Sequence, residues 1–415
     1  MKTDFILSVL SKFIQMAFGI ISGIIIARVL FAEGKGVIAA YSAPFDLVMS
    51  ATAFGVPTAS AYFFSKKEWD IKIIAVLHSI MLVLGGTVTA FAVLGMMFFQ
   101  GLADNFIILT ALFINVFVVK FISFANSIAM AKKWIKKIIV QEIVQSISSF
   151  IMTMGFIWLL RKSIEWYFII LVLSEVIGTI VVFYWLKDIK EYRFSFKFKK
   201  LKEYLKPFFS KSIMFALPLF VFGLNYKADI IILNHFVDKK QIGIYSVGVT
   251  LSMMIWLIPD IFKRVVISHS VATKKENENK FSRNLWKNTL KIMFLSMFLI
   301  LFLYFLSPYF LPLLYGKEFI NSVTPFKILL IGTFMMTGFK MLNGDLSARG
   351  KPEIALYIFS LMALLNIVGN LIFIPTYGII AAAWTSTATY FLGSGVFMIV
   401  YYFICVREKI GNKED

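Results

Sequence analysis

A single cysteine, Cys405, stands in a chain of 415 residues, which excludes an internal disulfide and any cysteine-rich metal site. Charge is scarce as well. Only 16% of the residues are Asp, Glu, Lys or Arg, too few to clothe a soluble chain of this length in polar surface. No G-x-x-x-x-G-K-[ST] phosphate loop occurs, so ATP hydrolysis through that motif is excluded. His78, His235 and His269 lie on different segments without metal-ligand spacing or a Ser/Asp partner pattern. No catalytic residue, metal site or cofactor is therefore expected, and the chain is expected not to be an enzyme. Long polar segments are missing too: the longest loops have about twenty residues, too few for an independent core.

Apolar residues fill the space left. The chain is 59% hydrophobic and 17% aromatic, with a mean hydropathy of +0.82. Only helices and closed barrels satisfy every backbone polar group inside a bilayer. The apolar runs here last about 20 residues or more, the length a helix needs to cross a ~30 Å core, whereas barrel strands would alternate over shorter segments. The runs lie near 5–30, 37–64, 71–99, 106–130, 138–160 and 164–187, then near 208–234, 241–265, 285–306, 322–346, 353–374 and 378–405. The first is too long for a signal-peptide core and lacks a small-x-small cleavage pattern, so it is expected to be retained as a span. The expected fold class is an all-α polytopic membrane protein of about twelve transmembrane helices. Its expected parts are a six-helix lobe (1–190), a basic cytoplasmic linker (191–207), a second six-helix lobe (208–406) and a cytoplasmic tail (407–415).

Loop cations set the expected orientation. With the N-terminus inside, the inner segments hold 29 Lys/Arg and the outer loops seven: Arg28, Lys35, Arg161, Lys162, Lys239, Lys240 and Lys317. Positive residues collect on the cytoplasmic side, so both termini are expected there, in the cytoplasmic membrane. The same bias accounts for most of the net charge of +19 without invoking nucleic acid. The run KFKKLKEYLK (197–206) is expected either to lie on the anionic inner leaflet, with Phe194, Phe196, Phe198, Leu201 and Leu205 toward lipid, or to be a solvated linker.

Ionisable groups inside spans are costly and by default face a cavity or a partner. Asp46, Lys120, Glu175, Lys227 and Asp229 lie well inside predicted spans; the alternative for each is a buried structural ion pair. Lys227 and Asp229 are two apart, about 200° around a helix, so they do not face each other, whereas Asn225 and Asp229 share a face. Arg28, Lys327 and Lys340 lie near enough to span ends to snorkel. Glu142, Asp260 and Asp345 are expected to cap or pair with basic loops. Pro44, Pro57 and Pro218 interrupt spans two and seven. Gly19 and Gly23 permit close helix approach, and Asn366 and Asn370 are expected to hydrogen-bond to a neighbouring helix. A faint internal echo pairs RVLFAEGKGVIAAYS (28–42) with NHFVDKKQIGIYS (234–246), as expected of transporters built from repeated halves.

Three tracts go further. LLYGKEFINSVTPFKILLIG (313–332), SARGKPEIALYIFSLMALLNIVGNLIFIPTYGIIAAAWTSTATY (347–390) and ADIIILNHFVDKKQIGIYSVGVTL (228–251) resemble the polysaccharide exporter, or O-antigen-type oligosaccharide flippase, family of the MATE/MOP superfamily. GKGVIAAY and FGVPTASAYFF in the first half fit the pattern more loosely, and IIAAA (379–383) departs from it by lacking a second Gly before the alanines. The resemblance implies two six-helix lobes around a central cavity. It implies a flippase carrying undecaprenyl-diphosphate-linked oligosaccharide from the inner to the outer leaflet by alternating access. A diphosphate needs cations along its path, and Arg28, Lys120, Lys227 and Lys340 are the candidates. Asp46, Glu175 and Asp229 are candidates for charge pairing or for a coupling ion, H+ or Na+. The expected partners are the lipid-linked oligosaccharide and anionic lipids at the basic linker, and a monomer is expected. The alternatives are a MATE-type ion-coupled exporter of small amphiphiles, whose cavity would be acidic and aromatic, and a membrane glycan polymerase or ligase, against which the short outer loops count.

Overall fold

The computed structural model describes the chain except residues 1, 54, 66–68, 162, 191, 194, 196–200, 258, 261–277, 350 and 408–415. Among the described residues there are helices and no strand. The chain forms two compact units, Met1–Gly223 and Leu224–Asp415.

The first unit contains α1 (Lys2–Thr52), α2 (Val56–Ser65), α3 (Ile71–Ile80), α4 (Gly86–Phe99), α5 (Phe106–Ala131), α6 (Ile135–Met152) and α7 (Glu165–Leu186). A π-helical turn, Met81–Gly85, joins α3 to α4, and another, Thr153–Leu159, extends α6. Side-chain caps start three helices: Asp70 accepts from the Lys72 amide, Asn105 from the Ile108 amide and Asp238 from the Gln241 amide, each satisfying an orphan donor of a first turn. Helix α5 packs against α2, α4 and α7, while α1 packs against α4 and α6.

The second unit is built from the end of α8 (Leu201–Phe236), α9 (Lys239–Met254), α10 (Glu278–Tyr315), α11 (Val323–Ala348) and α12 (Glu353–Tyr401). Helix α11 is its centre, packing against α9, α10 and α12. Large apolar side chains such as Phe98, Phe106, Leu295 and Phe302 lie exposed on the outside of their units, as expected where the solvent is lipid.

Two elements are too long for one crossing. At 1.5 Å per residue, the apolar stretches Leu7–Phe64 and Glu353–Arg407, of 58 and 55 residues, would each outrun a ~30 Å bilayer core more than twofold. Each doubles back. In the first, Phe31 adopts φ 57°, ψ −172°, and the Lys35 ammonium comes within 3.9 Å of the position a Cβ on Gly23 would take. On a straight helix those residues would stand about 18 Å apart. In the second, Gly378 adopts φ 54° and Asn366 Nδ2 lies 3.4 Å from Thr389 Oγ1, 23 positions on. Glycine suits that left-handed backbone at no steric cost; phenylalanine does not.

Among the described residues eight elements are long and apolar enough to cross a membrane, or nine when Lys202–Pro218 and Phe220–Phe236, bent by 41°, count as one. The expected count of about twelve is reached only when the two doubled-back elements each count twice and the 16-residue α9 counts once. The bend in α8 falls at Pro218, as expected of a residue that removes a helical hydrogen bond. Pro44, by contrast, stays inside α1, and the break ahead of Pro57 falls instead at Gly55, with φ 61°. A Cβ on Gly55 would sit 2.1 Å from the Ser212 carbonyl oxygen, so both backbone and close approach demand glycine.

The internal echo does not extend to turn geometry. Residues 234–246 turn through a break capped by Asp238, whereas 28–42 turn at Phe31 alone, with no capped break. Part of the basic linker, including Phe194, Phe196 and Phe198, lies outside the described residues, as does the tail from 408 onward.

Candidate functional site

Two buried polar clusters stand out, one in each unit. In the second unit the fold-back at Gly378 brings Asn366 and Asn370 opposite Thr385, Ser386 and Thr389. Asn366 Nδ2 lies 3.2 Å from Ser386 Oγ, and Asn370 Nδ2 donates to Asn366 Oδ1 at 2.9 Å. Thr385 hydrogen-bonds Asn370. Ser386 Oγ also reaches Asp229 Oδ2 at 3.4 Å, which Tyr245 Oη approaches at 2.5 Å. The Ile230 amide donates to Asp229 Oδ1 at 2.7 Å. Asp229 is 2% exposed, and Asn366, Asn370 and Ser386 are fully buried. One carboxylate is thus held among neutral oxygens and amides. Among the described residues no three His, Cys, Asp or Glu side chains gather as a multidentate metal site would require.

The first unit holds a polar cavity of about 310 Å³ between α1, α6 and α7. Gln15, Lys35, Gln145, Ser149, Tyr167 and Glu175 line it. Gly19 and Gly23 form part of its wall. Gly19 has nothing within 4 Å of a notional Cβ, and Gly23 only Lys35. The expectation of close helix approach at this glycine pair is therefore corrected: the missing side chains leave room for the cavity. Glu175 faces Gln145, which hydrogen-bonds its carboxyl. Both residues also line a second cavity, of about 390 Å³, bounded further by Thr58, Asn126 and Gln141.

The sequence-predicted residues divide between structural contacts and exposed or clustered positions. Lys120 is buried on α5 and donates to the Thr52 carbonyl oxygen at 2.9 Å, capping the end of α1. Lys340 bridges both Asp260 carboxylate oxygens, at 2.9 and 3.1 Å, and lies 4.9 Å from the Trp256 ring centroid. Asp345 pairs with Arg349 at 3.2 Å and accepts from Ser282 and Tyr401; Glu142 pairs with Lys12 at 3.2 Å. Arg28 and Asp46 are exposed on α1, on opposite sides of the Phe31 fold-back. Lys227 is half-buried on α8 and acts on Asp229 through space, while Tyr245 and Ser386 make the hydrogen bonds. The two do not pair face to face, as the helical offset predicts.

Lys35 is the residue that sequence reasoning misplaced. Read as an outer-loop cation, it sits on the second arm of the α1 hairpin with its ammonium in the cavity. The run QEIVQSISS (141–149), a density of polar side chains unusual for a span, was the available signal. A third buried group joins His78 Nε2 to Ser60 at 2.7 Å and Nδ1 to Tyr192 Oη at 2.8 Å. Burial lifts the Tyr192 phenol above its ordinary pKa.

A family model described as "Polysaccharide biosynthesis protein" matches residues 1–262. The chain belongs to that polysaccharide biosynthesis protein family. This family member is a multi-pass membrane protein with the fold of MOP-superfamily transporters. An inward-facing multidrug resistance MATE family transporter of that superfamily superposes with a TM-score of 0.78 at 13% identity, covering 94% of each chain. The lipid II flippase MurJ, in an inward closed conformation, superposes with a TM-score of 0.77 at 16% identity, covering 96% of this chain and 87% of that one. An uncharacterized membrane protein of Methanocaldococcus jannaschii is 28% identical over 132 residues, which is 30% of this chain and a quarter (25%) of that protein's length.

Proposed function

We propose that this polysaccharide biosynthesis family member is a flippase that moves undecaprenyl-diphosphate-linked oligosaccharide units from the inner to the outer leaflet of the cytoplasmic membrane by alternating access. The family match carries the reading, because it selects among functions that the fold leaves open. MATE exporter and MurJ flippase superpose almost equally well, so fold alone does not choose between amphiphile and lipid-linked glycan. Arg28 and Lys227, on α1 and α8, are the cations proposed to take the diphosphate; the contacts of Lys120 and Lys340 favour structural roles for those two.

In this reading the Asp229 cluster answers to the coupling ion. One carboxylate with neutral side-chain oxygens around it offers hard oxygen ligands with a single negative charge, a donor set matched to a monovalent cation or to a proton on Asp229 itself. The transport cycle needs no covalent chemistry from the protein, and the loop cations support a cytoplasmic side for both termini.

Reconstitution into liposomes tests the reading. A fluorescent undecaprenyl-diphosphate oligosaccharide should become accessible on the far leaflet at a rate that depends on the protein. A small cationic amphiphile should not be transported. Transport of the amphiphile without the lipid would transfer the chain to the exporter reading.

A further inference from the structure

The α1–α6–α7 cavity has a chemical character that the headgroup and coupling sites do not account for. Polar space inside a membrane unit is expensive to maintain. This cavity presents an ammonium from Lys35, a carboxyl from Glu175, the amide of Gln145 and the hydroxyl of Ser149, with the Phe18 ring alongside. Among the described residues Lys35 makes no ion pair or hydrogen bond. Its volume of about 310 Å³ sits at the small end of the ~300–1,000 Å³ range of small-molecule pockets.

The lining selects against several occupants. An acyl chain would leave the Lys35 ammonium without a partner, at a cost above the ~1–3 kcal/mol of a neutral polar group because it carries charge. A bare anion meets Glu175 on the wall, and a bare cation meets Lys35. A hydroxyl-rich ring suits both, since each of its hydroxyls donates one hydrogen bond and accepts others. The apolar face of such a ring also packs on an aromatic side chain, and Phe18 is held in place by Phe150, with ring centroids 4.9 Å apart. Gln145 and Glu175 are shared with the adjoining cavity of about 390 Å³, so the polar space continues past the first ring.

We propose that this cavity is a glycan subsite, which takes a sugar residue of the lipid-linked cargo inside the first unit. The proposal rests on the flippase reading. It assigns sugar recognition to Lys35, Gln145, Ser149 and Glu175, apart from the cations proposed for the diphosphate. Glycines at 19 and 23 are the space-making residues.

The experiment uses the full chain in lipid nanodiscs and two probes: undecaprenyl diphosphate, and the same lipid bearing one N-acetylglucosamine. The wild-type protein should bind the sugar-bearing lipid about tenfold more tightly, the worth of one or two net hydrogen bonds. Gly19→Leu fills the cavity from a position with open space around it and should level the two affinities. Ser149→Leu does the same from α6, should the first variant not fold. Gly95→Leu, which also enters open space but on α4, should keep the preference. Equal wild-type affinities, or a preference that survives both cavity-filling variants, overturn the subsite while leaving the flippase reading standing. Failure of the wild-type protein to bind either lipid removes the flippase reading, and the subsite with it.

Discussion

The Lys120 ammonium donates to the Thr52 carbonyl oxygen across 68 positions of chain, at 2.9 Å. Thr52 ends α1, where the last carbonyls have no partner within the helix. A charge-assisted hydrogen bond to a buried group is worth about 1.5–3 kcal/mol. Lys120→Met should therefore lower the melting temperature of the detergent-solubilised protein while leaving a measurable flipping rate. A variant of wild-type stability with abolished flipping would instead place Lys120 on the cargo path.

Asp229→Asn keeps the size of the side chain and removes its charge. Flipping by this variant should lose its response to imposed Na+ or H+ gradients, and Tyr245→Phe, which deletes the 2.5 Å contact, should weaken that response. Undiminished gradient dependence in Asp229→Asn, measured in the same liposomes, would separate the cluster from coupling.

Arg28→Ala and Lys227→Ala should each abolish export of surface glycan while membrane insertion, followed by expression in the membrane fraction, stays normal. Normal export from both variants would end the cationic headgroup model.

Lys340→Gln should be mild. Its partner Asp260 is about half exposed, and exposed ion pairs contribute about 0.2–1 kcal/mol. A small shift in melting temperature with near-normal flipping is expected; complete loss of flipping would show that Lys340 does more than hold Asp260.

Phe31 offers a stability test of the opposite sign. A bulky residue at positive φ costs of order 1–3 kcal/mol, and glycine removes that strain. Phe31→Gly should raise the melting temperature or leave it unchanged, and Phe31→Val should lower it.

The fold class was legible because lipid imposes one rule on long segments, and runs such as 106–130 obey it almost residue for residue in α5. The fold-backs were less legible. Gly378 is an ordinary glycine in the sequence, and Phe31 carries no turn signature at all. Charges proved easier to find than to interpret. Sequence placed Lys120 and Lys340 in the spans, but only three-dimensional contacts with Thr52 and Asp260 revealed what they do. Asp229 was singled out from its depth alone, whereas its partners Tyr245 and Ser386 are 16 and 157 positions away. The cavity of the first unit was only partly legible: Glu175 stands out by its depth, but Lys35 carries the pattern of an outer-loop cation, and Gln, Ser and Gly that of packing residues.

The fold-back at Phe31 also bears on how the chain enters the bilayer. Helical arms joined through one residue leave no loop to wait in water while the first arm inserts. They must cross as a hairpin, with the polar groups of both arms entering together. Gln15 on one arm and Lys35 on the other line the same cavity, so the residues that would burden a lone helix arrive in the membrane already facing one another. Biogenesis and cavity are set by the same turn.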